Sequence, residues 1–346
     1  MRPRVFLRTT EFLWQEGHTA HATHAEAVEE TLKMLEVYRR ILEEELAIPV
    51  IVGEKSPGER FPGAEHTYTL EAMMQDGKAL QSCTSHDLGQ NFAKASNIKF
   101  NTADEQTQYA YTTSWGMTTR VIGSLIMCHG DDDGLRLPPR ISPKHVVIIP
   151  IIPKPELEQA ILSYAEKLAQ ELRSKNYANQ AVVVHIDKRD RRGGEKNWEW
   201  IKKGVPLRIE IGPRDLEAGT ITLGRRDDPT HAKIVCSTAD FVKQISEMLG
   251  EIQNNYYRQA KAYLDAHTHK NLENFAQLKA FFTSSNENGQ QGFVLAKWCG
   301  DPETESLLQD LKVTIRCLPL QQSHTNGQCI LTGRAAVLDA IFAKSY

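Results

Sequence analysis

Phe6 to Ala27 reads FLRTTEFLWQEGHTAHATHAEA, a stretch that alternates like a strand and then turns helical. It gathers Arg8, Glu11, Glu16, His18, His21 and His24 beside Trp14. Burying so many ionisable groups without partners is costly, so the stretch reads as the floor of a site. Residues 5 to 22 predict two strands of a hairpin-like unit with Phe12, Trp14, Glu16, His18 and Ala20 on one face. A core face and a pocket face both give that pattern, and Glu16 with His18 favours the pocket. Thr23 and Glu26 then have capping-box spacing, and Val28, Leu32, Leu35, Tyr38 and Leu42 follow at helical intervals to about Leu46.

Working outward, Val50 to Gly53 predicts a short buried strand, and KSPGERFPGAEH, with two Pro-Gly steps, predicts a loop that approaches a ligand. Tyr68 to Met74 and Lys78 to Ser85 predict paired strands around the turn Gln75, Asp76, Gly77. Tyr109 to Trp115 and Arg120 to Cys128 continue as strand, or strand into helix. HGDDDGLRLPPRISP, His129 to Pro143, has the composition of a boundary. Beyond it strands at 146–152, 181–186 and 206–211 alternate with helices at 156–174 and 196–203, which predicts a small domain with a largely parallel sheet. A strand over 219–225 and a helix from Asp240 close it. A long polar helix from Glu251, a loop SSNENGQQG (Ser284 to Gly292) and a compact tail complete the chain. The fold class is mixed α/β and multidomain, divided 1–140, 141–248 and 249–346.

Of 346 residues, 40% are hydrophobic and 25% charged, which fits a globular protein with several cores. A net charge of -3 exerts no global pull on nucleic acid or anionic membrane, so RNA binding must rest on local clusters. Six dispersed cysteines and no long apolar run argue against a secreted disulfide framework and a membrane span. A cytoplasmic protein is expected.

The constellations each admit two readings. His18, His21 and His24 are spaced by three, but on a strand His18 and His21 point to opposite faces, so no metal is expected there. Gln81, Thr84, Ser85 and His86 at a strand end suit a nucleotide or amino group, or an ordinary polar turn. Arg120 in SWGMTTR suits phosphate or a surface salt bridge, and no glycine-rich phosphate loop accompanies it. Arg208, Glu210, Arg214, Asp215, Arg225 and Arg226 form either an RNA patch or charged turns. Cys299, Cys317, His324 and Cys329 make at best a weak zinc set, and free thiols are expected.

Together these segments resemble the prolyl-tRNA synthetase family, class II aminoacyl-tRNA synthetases, of the archaeal and eukaryotic type. FLRTTEFLWQEGHTAHAT resembles the motif 2 loop and the following strand, LQSCTSH the strand that contacts proline and ATP, and SWGMTTRVIG motif 3. VIIPI, VPLRIEIGPRDLEAG and LGRRD are similar to the anticodon-binding domain, and GFVLAKWCGDPETE with IRCLPL to the C-terminal zinc-type domain. The resemblance implies a partial class II antiparallel-sheet catalytic domain, an α/β anticodon-binding domain and a small C-terminal α/β domain. It implies ATP contacts from Arg8, Thr9, Gln81, Thr84, Thr118 and Arg120, with Arg120 as the catalytic arginine on the triphosphate. Trp14, Glu16, His18 and His86 would contact proline, and Arg208, Glu210 and Arg214 the anticodon. ATP and Mg2+ are the implied cofactors, and proline and tRNA(Pro) the partners.

The interval from Ala27 to Gln81 leaves no room for the large editing insertion of the bacterial type, so no deacylating domain is expected. Thr304 and Thr332 stand where the family has its second and fourth cysteines, leaving Cys299 and Cys329, so the tail is expected to fold without zinc. The resemblance also implies a motif 1 that dimerises the family, together with further proline and α-phosphate contacts, upstream of the FLRT segment. Met1 lies only a few residues before that segment. The chain as it stands is therefore expected to need that part for dimerisation and activity, the alternative being a non-catalytic tRNA-binding paralogue.

Overall fold

The computed structural model describes residues 3–284 and 292–346, so most of the Ser284 to Gly292 loop lies outside the described residues. Along the chain run β1 (Trp14–His21), α1 (His24–Arg40), β2 (Val50–Glu54), β3 (His66–Met73), β4 (Ala79–Asp87), β5 (Tyr111–Thr118) and α2 (Arg120–His129). Then come β6 (Val146–Pro150), α3 (Glu158–Arg173), β7 (Val184–Ile186), α4 (Gly193–Lys202), β8 (Leu207–Ile211), α5 (Pro213–Ala218), β9 (Thr220–Arg225), β10 (Lys233–Ser237) and α6 (Thr238–Ala266). The tail holds α7 (Phe275–Thr283), β11 (Phe293–Trp298), β12 (Val313–Pro319) and β13 (Leu338–Lys344). Among the described residues no helix is long and apolar enough to cross a membrane.

The chain forms two compact units, one of residues up to 44, 48–128 and from 261 onward, the other of residues 45–47 and 129–260. The first is organised on a sheet ordered β1, β5, β4, β3, β2, β12, β13, β11, with a two-residue edge at Thr268–His269. Every pairing from β1 to β11 is antiparallel. The segments 1–140 and 249–346, read separately in the sequence, thus share one sheet. Met73 and Ala79 of the β3–β4 hairpin pack with Phe293, Cys317, Ile341 and Ala343 of the tail in one buried cluster.

The Thr23 capping box forms: Glu26 N–H donates to Thr23 Oγ1 at 3.3 Å and Thr23 N–H to Glu26 Oε2 at 3.1 Å. From there α1 buries Ala27, Thr31, Leu35 and Tyr38, while Leu32 is exposed, so the packed face is rotated from the one that apolar residues alone predict. The expected hairpin over 5–22 does not form. Phe6 sits at φ 60°, and Arg4 and Arg8 close a tight turn on each other, which leaves β1 as a single strand.

The second unit has a five-stranded sheet ordered β7, β6, β8, β9, β10. It is mixed rather than largely parallel: β7, β6 and β8 are parallel, and β9 and β10 return antiparallel. The link from β8 to β9 holds only the short α5, too little for a parallel crossover. One face of the sheet is buried under α3 and α6 through Ile161, Leu168, Phe241 and Ile245, and the other packs Val147 and Ile149 against Trp200 of α4.

Candidate active site

Strand register brings the site together. Glu16 pairs with Gly116, Gly116 with Thr84, and Thr84 with Thr69. The next row is His18, Ser114, His86 and Thr67, and Trp14 pairs with Thr118. Directly opposed residues of antiparallel strands point to one side, so Trp14, Glu16, His18, Thr84, His86 and Thr118 share a face. Gln81, an odd number of residues from Thr84, would fall on the other side by simple alternation. A bulge at Ser82 adds the extra residue and sets Gln81 opposite Glu71, back on the shared face. The opposite side carries α1, where Ser85 Oγ donates to Thr31 O at 2.8 Å. The β1 end of the site face is open: Trp14 is 60% exposed, and Glu16 and His18 meet across 3.2 Å with most of the imidazole in solvent.

Arg120 opens α2 at the edge of this face. Its N–H donates to Thr118 Oγ1 at 3.2 Å, Nε to Leu7 O at 3.2 Å and Nη1 to Gln81 O at 3.4 Å. Two carbonyls therefore orient the guanidinium without neutralising it. Burial and the neighbouring charges of Arg8 and Arg316 lower its pKa, while Glu71 acts the other way. Glu71 itself is fully buried and accepts from Lys55 Nζ at 2.7 Å, Thr69 Oγ1 at 3.0 Å and the Arg316 guanidinium at 3.1 Å. Burial raises its pKa, but the charges of Lys55 and Arg316 and their hydrogen bonds prevail and hold it below the ordinary carboxylate value. Glu71 is thus matched by Lys55 and Arg316, and Arg8 and Arg120 add two further cations nearby, a field that favours a polyanion beside Arg8 and Arg120. Thr9 follows Arg8, half-buried, on the arm leading to β1.

His86 is 9% exposed, with Nδ1 sharing a hydrogen bond with Thr67 Oγ1 at 3.0 Å and the ring of Phe61 at 4.8 Å. Phe61 N–H donates to Thr67 Oγ1 at 3.1 Å, so the two-Pro-Gly loop does reach the site. Burial pushes the His86 pKa down to about 4 from 6.5, leaving the imidazole neutral at physiological pH. A folded-state value below the unfolded one means that the stabilisation is whole above pH 6.5 and is lost as pH falls toward 4. His86 alone is expected to cost the first unit about 2 kcal/mol between pH 7 and 5. Hydrogen exchange at the β3 and β4 amides checks this: a His86→Gln chain is to show a shallower acid slope, and an unchanged slope contradicts it.

Other clusters lie off this face. His24 Nε2 meets Asp87 Oδ2 at 2.7 Å and Glu65 Oε2 at 3.6 Å, and is stacked on Tyr111. Among the described residues these three are the one group whose ligating atoms come within 4.8 Å of one another. His18 and His21 take no part in it. Asp87, next to His86 in β4, points to the helix side, and its hydrogen bond raises the His24 pKa as an ion pair does. A cleft of about 850 Å³ is lined by Arg39, Val52, Lys261 and Leu320 and includes none of the site-face residues.

Comparison with known proteins accords with this geometry. Residues 3–129 match the tRNA synthetase class II core domain (G, H, P, S and T), residues 145–248 the anticodon binding domain, and residues 282–346 the prolyl-tRNA synthetase C-terminal family. The chain is 67% identical to the proline-tRNA ligase of Protochlamydia amoebophila, over all of this chain and 69% of that relative. The chain belongs to the proline-tRNA ligase family. It is also 50% identical to the proline-tRNA ligase of Bdellovibrio bacteriovorus and 48% identical to proline-tRNA ligase 2 of Anaeromyxobacter dehalogenans, in each case over all of this chain and 69% of the relative. As a member of the family it is an aminoacyl-tRNA ligase of class II, and such enzymes use ATP. Between Ala27 and Gln81 the chain is taken up by α1, β2, β3 and their connections, with no inserted domain.

In the anticodon-type unit the three expected residues differ in their surroundings. Arg208 is 3% exposed, its Nε donating to Asn197 Oδ1 at 3.0 Å, and burial beside Arg226 lowers its pKa to about 10. Arg208 lies on the side of β8 that α4 covers and is buried there. Glu210 accepts from Lys233 at 2.8 Å, and Arg214 is exposed on α5. A further run of exposed cations, Lys188, Arg189, Arg191, Arg192, Lys202 and Lys203, is one that the sequence reading passed over. Trp198 there is 43% exposed with Lys202 over its ring, and Lys144, Arg189 and Lys203 surround Trp200. Basic residues interleaved with tryptophan were the available signal. In the tail, Cys317 is buried in the core shared with β3 and β4, and so stands outside any set with Cys299 and Cys329.

Proposed function

We propose that the chain activates proline: its carboxylate oxygen attacks the α-phosphorus of ATP, the bond to the β-phosphate breaks, and pyrophosphate leaves. The prolyl group then passes to the terminal ribose of tRNA(Pro). The observation that carries this reading is the orientation of Arg120 by two carbonyls beside a face that bears Gln81, Thr84, His86 and Thr118. Arg120 and Arg8 take the triphosphate, Thr9, Gln81, Thr84 and Thr118 position the nucleotide, and Trp14, Glu16, His18 and neutral His86 line the amino-acid end. Rate comes from holding two anionic reactants in line and offsetting their charge, without a side-chain nucleophile. Mg2+ would neutralise phosphate charge, held largely by the phosphates, because the Glu71 oxygens are taken up by Lys55, Thr69 and Arg316. A cytoplasmic location is part of this reading.

Proline-dependent ATP–pyrophosphate exchange, with binding of a non-hydrolysable prolyl-adenylate analogue, tests this. Absence of both exchange and analogue binding would overturn it. The openness of the β1 face favours one second reading, tRNA binding without activation, which predicts tRNA affinity with neither signal. For the tRNA surface, Arg191→Glu with Lys202→Glu is expected to weaken binding about tenfold and flatten its salt dependence. Arg214→Ala is expected to change it less. Filter binding across a salt series checks both.

A further inference from the structure

The loop from Cys329 to Arg334 folds tightly against the end of β11. Cys329 N–H donates to Arg334 O at 2.8 Å, Gly333 N–H to Cys329 O at 2.7 Å and Ile330 N–H to Lys297 O at 2.9 Å. Cys329 thereby sits in the buried cluster against which Cys299 packs. The zinc that the family resemblance implies does not fit this donor set. Thr304 Oγ1 donates to Asp301 O at 2.6 Å and accepts from Trp298 Nε1 at 2.9 Å, and Thr332 Oγ1 accepts from Arg334 N at 3.3 Å and Nε at 3.4 Å. A hydroxyl is a poor zinc ligand even when free, and both of these are engaged.

The positive charge at Cys299 comes from the protein. Arg334 Nη2 lies 3.3 Å from Cys299 Sγ and 2.6 Å from Asp301 Oδ2, so Asp301 steers a guanidinium onto the sulfur. Cys299 is half-buried and lines a cleft of about 390 Å³ with Trp298, Gly327, Ala336 and Leu338, whereas Cys329 is 1% exposed. One sulfur is therefore reachable by a small molecule, and the second waits behind it.

We propose that Cys299 and Cys329 form a guanidinium-held thiol pair that a hydroperoxide oxidises to a disulfide. The Cys299 thiolate attacks the terminal peroxide oxygen and the O–O bond breaks. Sulfur loses two electrons to become a sulfenic acid, and the departing alkoxide takes a proton to leave as alcohol. The Cys329 sulfur then attacks the Cys299 sulfur, the S–O bond breaks, and the hydroxide leaves as water with the Cys329 proton. Burial works against a thiolate at Cys299, but hydrogen bonds from Asp301 N–H, Cys329 and Thr332 and the charge of Arg334 lower its pKa. Burial raises the thiols of Cys83, Cys128 and Cys317, so the chain supplies its own unreactive controls.

The test treats the reduced full chain with hydrogen peroxide, alkylates the remaining thiols, and maps the peptides by mass spectrometry. The expected product links Cys299 to Cys329, is reversed by dithiothreitol, and leaves Cys83 and Cys317 free. In Cys329→Ser chain, dimedone should trap Cys299 as a sulfenic acid. Arg334→Gln should slow oxidation about tenfold, and Arg334→Lys should restore part of the rate, which separates charge from folding. Alkylation of Cys299 no faster than that of Cys317 in the native chain would overturn the proposal, as would stoichiometric zinc retained through dialysis against metal-free buffer.

Discussion

Replacing Arg120 with alanine is expected to lower proline-dependent pyrophosphate exchange about 10³-fold, near 4 kcal/mol of transition-state stabilisation. The magnitude follows from its setting. The guanidinium is more than half buried, where charge is screened little, and it is aimed by Leu7 O and Gln81 O rather than paired with a carboxylate. Arg120→Lys keeps a charge but loses the planar fork, and an intermediate loss of one to two orders of magnitude is expected. Alanine also frees two carbonyls at about 1 kcal/mol each, so a melt of each variant separates folding from chemistry. An alanine chain with normal folding and normal exchange would remove Arg120 from the triphosphate.

How legible this site was depends on which residue is considered. Trp14, Glu16 and His18 fall on one face by period-two alternation alone, and the register confirms that they share it with Thr84, His86 and Thr118. The capping box at Thr23 and the turn around Gly77, with φ 75°, are local signals and form as read. Gln81 depends on the Ser82 bulge, which no alternation rule shows. The arm before β1 was misread because Phe6 adopts a left-handed conformation uncommon for a large side chain. The burial of Arg208 was not legible for another reason: whether a polar residue in a strand is exposed depends on the helix that covers it. The pairing of β12 with β2 is the deepest omission, because register between distant strands leaves no mark in either one.

That pairing leads to the second large effect. Arg316 reaches Glu71 from β12, Lys55 follows β2, and Lys55 Nζ also donates to Arg316 O at 2.8 Å, so one buried network ties the tail to the hairpin carrying Gln81. Glu71→Gln leaves Lys55 and Arg316 without their counter-charge, at about 3–5 kcal/mol. Calorimetry is expected to show the melt of the first unit lowered by about 10 °C and that of the second unchanged. Removing all three charges together, as Lys55→Met, Glu71→Leu and Arg316→Met, should cost far less than Glu71→Gln alone, since an apolar trio has nothing left to solvate. The two chains should then part on function. Glu71→Gln intensifies the positive field around Arg120 and should gain more thermal stability from ATP than the unsubstituted chain, whereas the apolar triple should gain less, because two of the four cations are gone. Equal ATP-induced shifts in all three would mean that the network holds the tail in place without acting on the triphosphate site.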